Sequence, residues 1–255
     1  MGKQYLFACP YFFMYPRLRF KIDYKQDIKT FFIFISEASF DNGRNLEWAI
    51  IKKYPYFKKY KNGNILEVSK DIVEKFVKSI YFKNQSLVEK NFLIYEKNWR
   101  RMEKDFYFLV DKLFCQYPWP KGKYIAYSTI WGLYPRFLEN KTFQIPYKYK
   151  KKRYISVIIA HEMLHFIFYD YLYKKFPKFQ NHKYDFYLWH LSEIFNVIIQ
   201  NSPEWLKVFQ QKTMIYPEHK KYLPKFEKFW QESKNIDDWI IKGYQYLENE
   251  KNLIR

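Results

Sequence analysis

Cysteine is almost absent from the chain: Cys9 and Cys115 lie far apart and belong to no C-x-x-C pair. A disulfide-stapled scaffold is thereby excluded, and both read as free thiols in a reducing compartment. No run of about 18 uncharged apolar residues occurs, so no transmembrane segment is expected. The stretch "MGKQYLFACPYFFMYPRLRFK" is interrupted by Pro10 and Pro16 and precedes no small-residue cleavage site, against a signal peptide. "MGKQYL" also lacks the Ser or Thr at the sixth position of a myristoylation motif. The expected setting is soluble and cytoplasmic. Internal repeats, low-complexity tracts and Gly/Ser linkers are missing too.

Acidic residues are scarce relative to basic ones, 26 against 45, which leaves a net charge of +19. Such a balance suits a polyanion-binding surface, either nucleic acid or an anionic membrane. A compositional cause competes: Lys, Asn, Ile, Phe and Tyr are abundant together, as AT-rich coding favours, and lysine is spread along the whole length. No RNP-type, zinc-finger or helix-turn-helix signature supports a nucleic-acid partner. The one dense run, "KYKKKR" (148–153), precedes a helix whose N-terminus disfavours positive charge, and reads as a solvated connection.

What the chain has in plenty is aromatic residues, 26 Tyr and 26 Phe. With 48% hydrophobic residues over 255 positions it can bury a real core, and disorder is excluded. "TFFIFI" (30–35), aromatic and β-branched, reads as a strand. Turn signals at "DNGRN" (41–45) and "KNGN" (61–64) bracket a helix over 45–54. From Ser69, a candidate N-cap, apolar residues at 72, 73, 76, 77 and 80 predict a second helix. A much longer helix follows over 86–114. Its buried stripe is Leu87, Phe92, Tyr95, Trp99, Met102, Phe106, Leu109 and Leu113.

"CQYPWPKGK" (115–123), with two prolines and a glycine, is the natural boundary. It separates a mostly helical region, 1–120, of no assigned role from a catalytic region, 121–255. Strand-like segments at 123–130 and 141–147 flank "WGLYPRFLEN", which has turn and loop chemistry. Helices are then predicted from near 154, over 185–200, after Ser202 (N-cap) and Pro203 (N1), and along the amphipathic tail. The fold class expected is α+β, mostly helical with a small mixed sheet.

The chemistry concentrates in "IIAHEMLHFIFYD" (158–170). On a helix, His161 and His165 lie one turn apart on the same face, so both imidazoles can reach one ion. Glu162 beside them can act on a water there without ligating the metal, which is the physical content of H-E-x-x-H. The bland alternative is two unrelated histidines on a core helix. A third ligand must come from downstream: Asp170, His182, Asp185, His190, Glu193 or Glu204. Asp170 is on the same helix and cannot easily turn back, and His182 lies in a polar loop. His190 and Glu193 share one face of an otherwise apolar helix, "WHLSEIFN". A buried, unpaired carboxylate costs several kcal/mol, so Glu193 needs a partner, and a metal ion is a good one. His190 remains the alternative ligand, or a group that stabilises the transition state.

"HEMLH" (161–165) and "SEIFN" (192–196) together resemble the gluzincin branch of the zincin metallopeptidases. In that branch a glutamate on a second helix completes the site, and the interval from His165 to Glu193 falls within the usual spacing. The resemblance implies a zincin-like catalytic region and one Zn2+, held by His161, His165 and Glu193. It implies a peptide or protein substrate, with Glu162 as general base; His190 is a further catalytic candidate from its place beside Glu193 on the helix face. It also implies that "TFQIPY" (142–147) is an edge strand pairing with extended substrate, and that Asn196 orients a site histidine. The likeness covers 142–200, and residues 1–120 resemble no known family. The metzincin extension is missing, since 168 is Phe and 171 is Tyr, as is the N-E-x-x-S-D signature of thermolysin-like enzymes. His190, His219, Tyr169 and Tyr216 all stay open as the oxyanion-stabilising residue. The alternative function is a non-catalytic, metal-stabilised or basic polyanion-binding protein.

Overall fold

Buried residues in the segment 24–36 recur in threes and fours, not in twos. Asp27, Ile28, Phe31, Phe34 and Ile35 line the buried face of helix α1 (Tyr24–Ser36). In the structure, a computed structural model describing residues 15–36, 45–63, 68–182 and 186–250, the strand expected at 30–35 is thus helical. Single-residue β preference yields to the 3.6-residue period of burial. Asp23 opens the helix by accepting the backbone N–H of Lys25 at 3.0 Å. The turn signal at 41–45 lies, except for Asn45, outside the described residues. The one at 61–64 is entered by a 3-10 run, Pro55–Gly63, which follows α2 (Glu47–Lys53).

Helices α3 (Lys70–Lys83) and α4 (Gln85–Leu113) meet at one residue. Ser69 caps α3 as its sequence position implies, with its hydroxyl accepting from the Ile72 N–H. Asn84 ends α3 by donating its backbone and side-chain N–H groups to Ile80, and its own carbonyl accepts from Val88 in α4. Most of the expected α4 stripe is buried, with Tyr95, Trp99 and Phe106 fully so. Leu87 is the exception, 40% exposed on the outer side.

The small mixed sheet has the order β1-β2-β4-β3, from β1 (Arg19–Lys21), β2 (Ile125–Thr129), β3 (Arg136–Phe137) and β4 (Thr142–Pro146). β1 runs parallel to β2, β2 parallel to β4, and β3 antiparallel to β4. The amino-terminal region therefore supplies a strand to the same sheet as the motif region. Two corrections follow. The loop-like 131–140 contains β3, and β4 is an interior strand instead of the edge expected to receive substrate. Its outer side is taken by Arg136 and Phe137, and by the Pro135 carbonyl, which accepts the Gln144 N–H at 3.0 Å.

A buried polar cluster ties α1 and α3 to the sheet. Asp27, fully buried, accepts from the Tyr81 hydroxyl (2.8 Å), the Ile130 N–H (3.0 Å) and the Gln144 amide (3.2 Å). Below the sheet runs α5 (Tyr154–Lys175), packed on α4, β4 and the next helix, α6 (Phe186–Gln200). By length and composition α5 could cross a membrane, but 78% of that window is buried inside the protein, as suits a core helix. Helices α7 (Pro203–Phe209), α8 (Leu223–Glu232) and α9 (Ile236–Asn249) close over α6. Pro203 starts α7 as expected, though the Ser202 side chain makes no capping hydrogen bond.

Candidate metal centre

α5 is buried on nearly every side, so polar residues on it must find partners inside the protein. "KYKKKR" before it is largely exposed, as a solvated connection requires. His161 and His165 face α6 across the α5–α6 contact, and Glu193 on α6 faces back. His161 Nε2 lies 2.9 Å from Glu193 Oε2, and His165 Nε2 lies 3.3 Å from Oε1. The ligand atoms of the three side chains all fall within 4.8 Å of one another and could hold a metal ion. The His165 contact is close but off the hydrogen-bond direction. His165, fully buried, thus keeps both ring nitrogens without a hydrogen-bond partner.

Among the described residues, no other downstream candidate joins this group. Asp170 is bonded to Tyr117 and Lys174, and Glu204 is exposed against Lys112. Asp185 and the His182 side chain lie outside the described residues. His190, one turn before Glu193, is turned to His219, with Nδ1 2.6 Å from Nε2 of that residue. His190 Nε2 and His219 Nδ1 are both buried without a hydrogen-bond partner.

Three residues that the sequence did not single out shape the site. Gln200 donates to the Val157 carbonyl (2.9 Å), which leaves its own carbonyl oxygen facing His161 Nδ1 at 3.1 Å. His161 Nδ1 must therefore donate, and the ring is fixed with Nε2 toward Glu193. Asn196 donates to the backbone carbonyl of His161 at 3.0 Å, so it positions the helix while Gln200 orients the ring. The spacing 193, 196, 200 places three polar residues on one face of an apolar helix, the one sequence signal from which Gln200 could be read.

Ser192 is the second such residue, holding the Tyr169 hydroxyl at 2.9 Å while the Tyr169 ring stacks on His165. Arg136 is the third. Gly132, at φ +77° in the left-handed region that suits glycine, turns the chain back toward β3. Arg136 then places a guanidinium nitrogen 3.0 Å from Glu193 Oε1 and 3.8 Å from Glu162 Oε2, over the Tyr169 ring. Glu193 was expected to lack any partner but a metal, and Arg136 corrects that. A lone basic residue in the turn-rich 131–140 was its only trace in the sequence.

Burial sets the protonation of the centre. It pushes His165 down to about 3, so that imidazole is neutral. Burial also lowers His161, but the Glu193 and Glu162 carboxylates outweigh it and leave the group raised. Burial lifts the Glu162 carboxyl to about 7, against the pull of His161 and Arg136. It opposes the Glu193 charge as well, yet the two imidazoles and Arg136 hold that carboxyl well below its usual range. Burial and the neighbouring His219 bring His190 down to about 3. Tyr216 is raised chiefly by Glu193 and then by burial and Glu162, so its hydroxyl feels both carboxylates although its ring is half exposed.

No family model, curated protein or solved structure matches this chain.

Proposed function

We propose that the chain is a zinc-dependent metallopeptidase, with His161, His165 and Glu193 as ligands and Glu162 as general base. The observation that carries the reading is His165. A fully buried imidazole whose Nε2 has only an off-axis contact with Glu193 costs free energy unless something else engages that nitrogen, and a metal ion beside His161 and Glu193 would. Two imidazoles and one carboxylate form the donor set of catalytic zinc sites. When bound, such an ion supplies a Lewis acid and lowers the pKa of coordinated water to about 7.

The protein's own groups do the remainder. Gln200 holds His161 in the tautomer that presents Nε2. Glu162 takes a proton from the attacking water and returns it to the leaving amine. With His219 as donor in their pair, His190 Nε2 carries a proton and has no other partner, as an oxyanion donor requires.

A second reading rests on Arg136. Its link to Glu193 makes a buried ionic cluster that joins β3, α5 and α6 without any metal. Metal analysis separates the two. The peptidase reading expects about one zinc per chain, lost in His161→Ala and His165→Ala and retained in Glu162→Gln. Peptide hydrolysis falls in that last variant by at least about 100-fold. A metal-free wild type, or activity indifferent to Glu162→Gln, sinks it.

A further inference from the structure

Among the described residues, only one side of α4 is covered. Val88, Phe92, Tyr95, Trp99 and Phe106 face the core, while a line with steps of three and four runs along the opposite side. That line is Lys90, Leu93, Lys97, Arg101, Lys104 and Phe108, all exposed and all on one helix face. Leu93 is 70% exposed and Phe108 62%. The ion pairs of this helix are made elsewhere, by Arg100 with Glu96 and Glu103, and by Lys112 with Glu204. Among the described residues, the four cations of the line enter none. Like charges one turn apart, Lys97 with Arg101 and Arg101 with Lys104, repel and weaken a helix, and Asp105, one turn beyond Arg101, offsets only part of that, so an anionic partner would relieve the line. From 90 to 108 the line spans about 27 Å.

Charge alone would fit any polyanion, and the two apolar side chains decide between them. Phosphate backbones bind cations, but nothing on a nucleic-acid backbone engages an exposed leucine. A bilayer surface engages both. Lys and Arg gain near anionic headgroups, and Leu and Phe gain by reaching the acyl boundary. Phe82, 83% exposed at the end of α3, and Leu87, exposed at the start of α4, add apolar surface near the α3–α4 junction. We propose that this face of α4 docks the protein on an anionic membrane surface, with Leu93 and Phe108 inserted between headgroups. The inference is independent of the metal centre.

Co-sedimentation of the full chain with vesicles tests it. Binding is expected to phosphatidylcholine vesicles containing phosphatidylserine, to weaken with salt, and to vanish with phosphatidylcholine alone. Lys97→Gln with Arg101→Gln lowers the partition coefficient about 30-fold. Leu93→Ser with Phe108→Ser lowers it at least about tenfold. Lys52→Gln with Lys58→Gln, exposed cations away from α4, changes it less than about twofold. Failure to bind phosphatidylserine vesicles overturns the proposal, and so does an equal loss in the Lys52/Lys58 variant. Binding to duplex DNA or RNA that Leu93→Ser with Phe108→Ser leaves intact, with vesicles ignored, also overturns it.

Discussion

Arg136 brings a cation to the carboxylate that a metal ion would use, so the two would compete for Glu193 Oε1. Without metal, the guanidinium compensates a carboxylate that is only 2% exposed. Arg136→Gln should therefore destabilise the chelator-treated protein by about 3–5 kcal/mol, the usual cost of breaking a buried pair. Added zinc should restore much of that loss, because the ion replaces the missing charge and meets no repulsion. Thermal melts of the variant with chelator and with zinc check this. An identical deficit in both conditions would show that Arg136 and the ion do not compete. His161, Glu162, His165 and Glu193 were legible because a helix converts spacing into direction. Arg136 acts on a partner far away along the chain, Glu193, and periodicity carries no record of that contact, whereas Gln200 left its place on the Glu193 face of α6 as a trace.

Among the elements, α6 bears Glu193 and is placed by what packs behind it. Gly243 of α9 allows close approach: a Cβ there would stand 2.7 Å from Leu191 Cδ1 and 2.8 Å from Phe226 Cε1. Leu191 and Phe226 are both fully buried, so neither side chain has space to yield. Glycine within a helix costs up to about 1 kcal/mol relative to alanine, yet here the added methyl overpacks the contact. Gly243→Ala should lower stability by about 1–3 kcal/mol in chemical denaturation. A stabilised variant would mean that α6 and α9 part freely. α3, α4 and the tail helices were legible from their apolar period, and α7 from Ser202 and Pro203 at its start. α1 was not, because a short aromatic and β-branched window hides a helical burial pattern that only the full segment reveals. β3, with only Arg136 and Phe137, has no period to read.

For the molecule as a whole, stability depends on how the amino-terminal helices are joined to the sheet, and Asp27 sits at that joint. Burial pushes its carboxyl from 3.8 up to about 7. The folded state thus keeps a proton that the unfolded chain has already released. Stability from this group is fully present below 3.8 and is lost as pH rises through about 7. Between about pH 5 and about pH 8 the loss is on the order of 3 kcal/mol. Asp27→Asn removes that slope, and Gln144, whose Oε1 lacks a partner, can turn its amide to accept from the new one. Urea midpoints of both proteins at the two pH values check this; parallel behaviour would place the slope on another group. The mostly helical class with a small mixed sheet was legible from the sequence. The strand order was not, since pairing between residues 19 and 125 leaves no local trace.

The burial of α5 on nearly all sides also has a consequence in time. During synthesis this helix emerges before the helices that cover it: the chain must still be extended to Gln200 to complete α6 and to Asn249 to complete α9. At about 5–20 residues per second, α6 follows after roughly 1–5 s and α9 after roughly 4–15 s. For that interval the nascent chain shows an apolar helix that only α4 and β4 can cover, so its greatest exposure to aggregation is governed by translation speed between α5 and α9.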